Sequence, residues 1–219
     1  MDVTCGKRLG QTTFISTGKH GLSCYLGDNI IVNNSFLRAG YVYSLNVAAD
    51  FADAIGESLG SQFRSKANEI LPTVKDHYGA YGDFIYESDN RQQDGAVIHS
   101  IATFGEYTFA PESSEAANTI KTLTRTFCRE YKINQDSIGN GDSGIVIGRY
   151  PGDGYAGGNP WQLLTAVLAE TFYLGAQATL DKIESRGVTD FYLNWAQNKE
   201  WIDLLESNNG ILLDMCKII

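Results

Sequence analysis

The residues from Gly148 to Trp161 read GRYPGDGYAGGNPW and carry the densest chemistry in the chain. Within this short stretch an arginine, two tyrosines, an aspartate and a tryptophan are spaced by glycines on a turn leading into a helix. Arg149 and Asp153 offer directional hydrogen bonds to hydroxyl groups. The faces of Tyr150, Tyr155 and Trp161 suit the apolar C–H side of a pyranose ring. That combination fits a sugar. It also fits a plain turn ahead of a helix, with the glycines at positive φ and Trp161 in the core. Local composition leaves both readings open.

The same stretch contains a second pattern. Gly152, Gly154 and Gly157 match GxGxxG, the glycine spacing of dinucleotide-binding turns. Two features argue against it. The helix is expected to start at Asn159-Pro160, past the last glycine, so its amide donors would miss a pyrophosphate. The chain also lacks the alternating strands of a parallel sheet. Gly139, Gly141 and Gly144 match again, but ahead of a strand-like run, and a chain with 23 glycines produces such matches readily. Metal chemistry has little support. His20, His77 and His99 are scattered, and Cys5, Cys24, Cys128 and Cys216 lie far apart with no CxxC spacing. No metal and no organic cofactor is expected. The cysteines read as buried free thiols, with one disulfide as the alternative. Asn33-Asn34-Ser35 is a glycosylation sequon, meaningful only in a secreted chain.

Four stretches with helical period must position these residues. Phe36, Gly40, Tyr43, Val47, Phe51 and Ile55 mark the first, closed by Gly56. Leu59, Phe63, Ala67, Ile70, Val74 and Tyr78 mark the second, which Pro72 should bend or shorten. Ala117, Ile120, Leu123, Phe127 and Tyr131 form the third stripe. The fourth follows Asn159-Pro160 through Trp161, Leu164, Leu168 and Phe172, and a weaker fifth runs over 189–205. Strand-like runs are limited to Phe84–Tyr86 and Ile145–Ile147. The intervening segments Glu87–Gly95, Ser137–Gly144 and Pro151–Gly158 are longer than a simple bundle needs, and loops of that length are often functional. The expected class is all-α.

Composition narrows the partners. The 219 residues are 43% hydrophobic and 20% charged, with 12 Tyr, 10 Phe and 3 Trp, enough apolar material for one core. No apolar run reaches roughly 18 residues, so no membrane span is expected. The opening MDVTCGKRLGQTTF lacks the apolar stretch of a signal peptide. A net charge of −9 with no basic cluster excludes ordinary nucleic-acid binding. The ending GILLDMCKII stops inside an amphipathic element, which reads as a partial chain.

GRYPGDGYAGGNPW resembles the GRYPED-x-Y-x-G-NPW segment of glucoamylases, the inverting exo-glucosidases of glycoside hydrolase family 15. Asp94-Gly95-Ala96-Val97-Ile98-His99-Ser100 resembles the stretch that precedes this motif in the family, ending in a SIH-type turn. The stretch 36–56 resembles the helix after the family's acid-bearing loop, and 161–176 resembles the helix after NPW. The likeness covers about residues 25–180, so residues 1–24 stand as an unmatched N-terminal segment and 25–219 as a partial domain. It implies part of an (α/α)6 toroid whose inner loops build a funnel-shaped pocket. It implies an α-1,4-glucan such as starch or glycogen as substrate, and a family often secreted or vacuolar. Arg149 would clamp hydroxyls of the non-reducing glucose, with Tyr150, Tyr155 and Trp161 lining or supporting the pocket and Asp153 orienting the arginine. Gly152 stands where the family has a glutamate. Counting back from Phe36 to the acid position lands near Asp28-Asn29-Ile30, which makes Asp28 the candidate acid, while no residue matches the family's base. A glycosidase, a non-catalytic glucan-binding or regulatory relative, and a nucleotide-binding α/β enzyme are the three readings carried forward.

Overall fold

A computed structural model of the chain describes residues 34–140 and 144–186. Six helices follow in order: α1 (Ser35–Ala54), α2 (Gly60–Lys75), α3 (Ala96–Phe104), α4 (Ser114–Glu130), α5 (Lys132–Gly139) and α6 (Gln162–Arg186). Short 3-10 turns occupy Gly105–Tyr107 and Tyr155–Gly157. The fold is all-α. Among the described residues β pairing is limited to the isolated bridges Tyr78↔Ile85 and Ser88↔Arg91, which removes the sheet that a nucleotide-binding α/β enzyme requires. None of these helices is long and apolar enough to cross a membrane.

α4 forms as its stripe predicts. Ser113 caps it by accepting from the Ala116 amide, and Ala117, Ile120, Leu123 and Phe127 are all buried. These side chains join Ile98 of α3, Ile147, and Leu164, Val167 and Leu168 of α6 in one apolar cluster. A second cluster holds Ala39 and Val42 of α1, Ala67 and Val74 of α2, and Val97 and Ile101 of α3. α3 therefore serves both clusters with neighbouring residues. Of its residues only Thr103 is exposed.

Several expectations need correction. α1 buries Ala39, Val42, Ala49 and Ala52, while Val47, Phe51 (65% exposed) and Ile55 of the expected stripe face outward. Small residues win because α1 runs close against α2, where Gly60 and Ala67 are also buried. α2 passes through Pro72 and stops at Lys75, three residues earlier than its apolar period suggested. α3 falls where a turn was expected, and α5 takes the first residues of the expected loop 137–144. α6 begins at Gln162, not at Asn159-Pro160. The Asn159 amide donates to the Ala156 carbonyl, while Trp161 accepts the first helical bond from Thr165. Ile145–Ile147 forms no strand, because side chains satisfy its backbone. Val146 is bonded through both N–H and C=O to Asn134, and the Ile147 N–H donates to Thr165 Oγ1. Cys128, buried on α4, is disulfide-bonded, not a free thiol. The candidate helix over 189–205 lies outside the described residues.

Candidate functional site

Three segments converge where the two long loops meet. The chain leaves α5, is pinned at Val146 and Ile147, and reaches Gly148 in contact with the Tyr131 hydroxyl. A Cβ at 148 would overlap that hydroxyl, and one at Gly95 would overlap the Gly148 carbonyl oxygen. Gly95 thus lets the loop 87–95 and the loop 148–161 pass within van der Waals contact, while Gly148 lets the second loop lie against Tyr131. The Gly95 N–H donates to the Arg149 carbonyl and locks the crossing.

From this crossing Arg149 projects into a forked pair with Asp153. Its Nε and Nη2 donate to the two carboxylate oxygens at 2.7 Å each. Asp153 is only 8% exposed, and its Oδ1 also accepts from the Tyr155 N–H at 3.0 Å. The guanidinium beside it holds the Asp153 carboxyl down to about 2, so the pair is ionised at any ordinary pH. Three rings surround the guanidinium: Tyr155 and Trp161 at 4.9 Å and Tyr150 at 5.3 Å. The structure therefore brings all five sequence-selected residues of this loop together. Asp153 takes two of the five N–H donors of Arg149 and fixes the plane of the rest. Tyr155 is 63% exposed. Gly152, at φ +74°, donates its N–H to the Glu130 carboxylate at 2.7 Å.

Arg149 and Trp161 line a cavity of about 560 Å3. Its other walls come from the start of α1 (Asn34, Phe36), the loop 87–94, the start of α3 and the start of α6. His99 of α3 stacks on Phe36 with centroids 5.4 Å apart. Sequence reasoning flagged the loop 87–95 by its length but did not select its chemistry. That loop supplies two buried carboxyl groups, Glu87 (4% exposed) and Asp94 (6% exposed), and one cation, Arg91. Arg91 lies over the opposite loop's Tyr150 ring at 4.2 Å.

Glu87 is tied to the first turn of α1. Its carbonyl accepts from the Ser35 N–H at 2.8 Å and its Oε2 from the Phe36 N–H at 3.2 Å, while Asn34 caps the Leu37 N–H. Burial, then the neighbouring Asp94 charge, push the Glu87 carboxyl up to about 7 despite these donors. Burial also raises Asp94, whose Oδ1 accepts from the Ala96 N–H. Among the described residues no group of three or more His, Cys, Asp or Glu could hold a metal ion. Asp28 lies outside the described residues. A cavity with a forked cation, an aromatic wall and buried acceptors is equipped to hold a neutral polyhydroxyl compound by several directional bonds.

The family model for glycosyl hydrolases family 15 matches residues 33–197. The chain is 30% identical to Glucoamylase-1 of Schizophyllum commune over 174 residues, covering 75% of this chain and 29% of that protein. It is 44% identical to Glucoamylase P of Amorphotheca resinae over 84 residues, covering 36% and 13%. With the Glucoamylase of Blastobotrys adeninivorans it shares 28% over 153 residues, covering 61% and 24%. The chain spans less than a third of the length of these relatives. No solved structure matches it.

Proposed function

The chain belongs to glycosyl hydrolases family 15, and from that premise we propose that its cavity receives the non-reducing glucose unit of an α-1,4-glucan. The observation that carries this reading is the Arg149–Asp153 fork set among Tyr150, Tyr155 and Trp161, of which Arg149 and Trp161 line the cavity while Tyr150, Asp153 and Tyr155 stand behind them. Arg149 donates to sugar hydroxyls from a plane fixed by Asp153, and the Trp161 ring covers a C–H face. Tyr150 holds Arg149 and Arg91 apart by lying against both.

Release of glucose with inversion needs a carboxylic acid on the glycosidic oxygen and a carboxylate that activates water from the other side. The resemblance assigns the acid position to Asp28 and finds no counterpart of the base. We therefore assign this chain sugar binding without turnover, the hydrolysis belonging to a setting that supplies the base. A non-catalytic glucan-binding relative is the second reading, favoured by Gly152 in place of the family's glutamate. The test uses the 219-residue chain with maltotriose, following binding by tryptophan fluorescence and glucose release against a boiled control. Binding that weakens at least about tenfold in Arg149→Ala is expected, since bonds from a charged donor are the strong ones. Turnover above about 1 per second, abolished by Asp28→Asn, would overturn the assignment.

A further inference from the structure

We propose that Glu87 is a specificity-determining acceptor of this cavity, taking a hydroxyl hydrogen of the bound sugar so that binding releases a proton. The proposal rests on the cavity being the sugar site, and it adds a residue that the GRYPGDGYAGGNPW likeness does not contain.

The geometry starts from what an ionised carboxylate needs. Its two oxygens offer about four acceptor positions. Glu87 is buried, lines the cavity, and receives the Phe36 N–H at 3.2 Å and the Asn34 side chain. Those donors are fixed by the first turn of α1 and cannot follow the charge. Glu87 lines the cavity, and in the proposed role its remaining acceptor capacity meets the bound sugar there. A sugar hydroxyl arriving there supplies the missing donor without displacing either existing one. Burial and the Asp94 charge keep the empty site partly protonated near neutral pH, with Glu87 held at about 7. A hydroxyl donor favours the charged form, so binding shifts the carboxyl toward ionisation and its proton leaves to solvent.

The charged and titratable groups around Glu87 are Asp94 and Arg91 on its own loop, Arg149 on the neighbouring loop and His99 on α3. Arg149, raised by its bonds to Asp153, stays charged throughout. Asp94 acts on Glu87 by repulsion, which gives a second handle: neutralising Asp94 must move the Glu87 transition to lower pH.

The experiment is calorimetric titration of the 219-residue chain with maltotriose at pH 5.5, 6.5, 7.5 and 8.5, in buffers of different protonation heat. The expected wild-type result is net proton release near neutrality and affinity rising with pH to a plateau above about 7. Glu87→Gln should release no proton, lose the pH dependence and bind about tenfold more weakly at pH 8.5. Asp94→Asn should keep the proton release with its midpoint moved to lower pH. Proton uptake on binding, or a Glu87→Gln profile that overlays the wild type, overturns the role of Glu87 while leaving the sugar site standing. No binding by the wild type at any pH overturns the site itself, and this role with it.

Discussion

Replacing Asn134 by alanine should uncouple the arm that carries Arg149 from the helices beneath it. Asn134 is 2% exposed and makes three side-chain bonds of 2.9 Å: its Nδ2 donates to the Phe127 and Val146 carbonyls, and its Oδ1 accepts from the Val146 N–H. It does for residues 145–147 what a neighbouring strand would otherwise do. At about 1 kcal/mol net for each bond, Asn134→Ala should cost about 3 kcal/mol. For a chain of this size that corresponds to a fall of roughly 6–12 °C in Tm. The denaturant slope should not change, because the folded surface is the same. Asn134→Asp should be worse than alanine, since it keeps the acceptor but sets a carboxylate against two carbonyl oxygens. Urea titration and thermal melts measure both, and amide exchange at Val146 reports the local release. A fall below about 2 °C for alanine, or aspartate outranking it at pH 7, would refute the accounting.

Three further outcomes follow from the packing and the charges. Phe127→Ala empties the centre of the α3–α4–α6 cluster and should cost roughly 3–5 kcal/mol, measured by urea unfolding. His77 is fully buried with Nδ1 on the Tyr86 carbonyl, and burial lowers its pKa. The unfolded chain binds the extra proton, so stability is complete above the ordinary histidine range of about 6.5 and drains as pH falls through it. Urea midpoints from pH 8 to 5 should show this slope, and His77→Phe should flatten it. Asp153, held at about 2 by Arg149, contributes stability above the ordinary carboxylate range that is lost only as pH falls from about 4 toward 2. Acid titration of the tryptophan emission should therefore show the Arg149 loop intact at pH 4, and an earlier transition in Arg149→Ala.

The parts of the fold legible in the sequence share a cause. α4 has a polar back and a stripe of large apolar residues, so period and burial agree. α1 misleads because its inner face is built from alanines, which a search for bulky residues passes over, while Phe51 and Ile55 stand outside. α3 has only nine residues and gives Val97, Ile98 and Ile101 to two different apolar clusters, so it is too short to display a clear period. The site divides the same way. Arg149 and Asp153 meet four residues apart, and the glycines and rings of their loop announce one another in sequence. Glu87 becomes notable only when Phe36, distant by 51 positions, is brought over it. No local pattern encodes the loss of water that sets its acidity.

The two crossing loops also decide where this pocket can change in the course of sequence drift. Gly95 and Gly148 are closed to any side chain, one by the opposing backbone and the other by the Tyr131 hydroxyl. Innovation is barred there, because a mutation would push the Arg149 arm away from its partner before altering what it holds. Gly154 differs: its φ of −83° suits every residue and nothing lies within 4 Å of the position a Cβ would take. One loop thus carries a locked root and an open tip. New side chains arising at 154 can sample solvent beside Asp153 and Tyr155 without disturbing the crossing. The lineage of this chain can vary the chemistry of the tip while the geometry at the root is inherited unchanged.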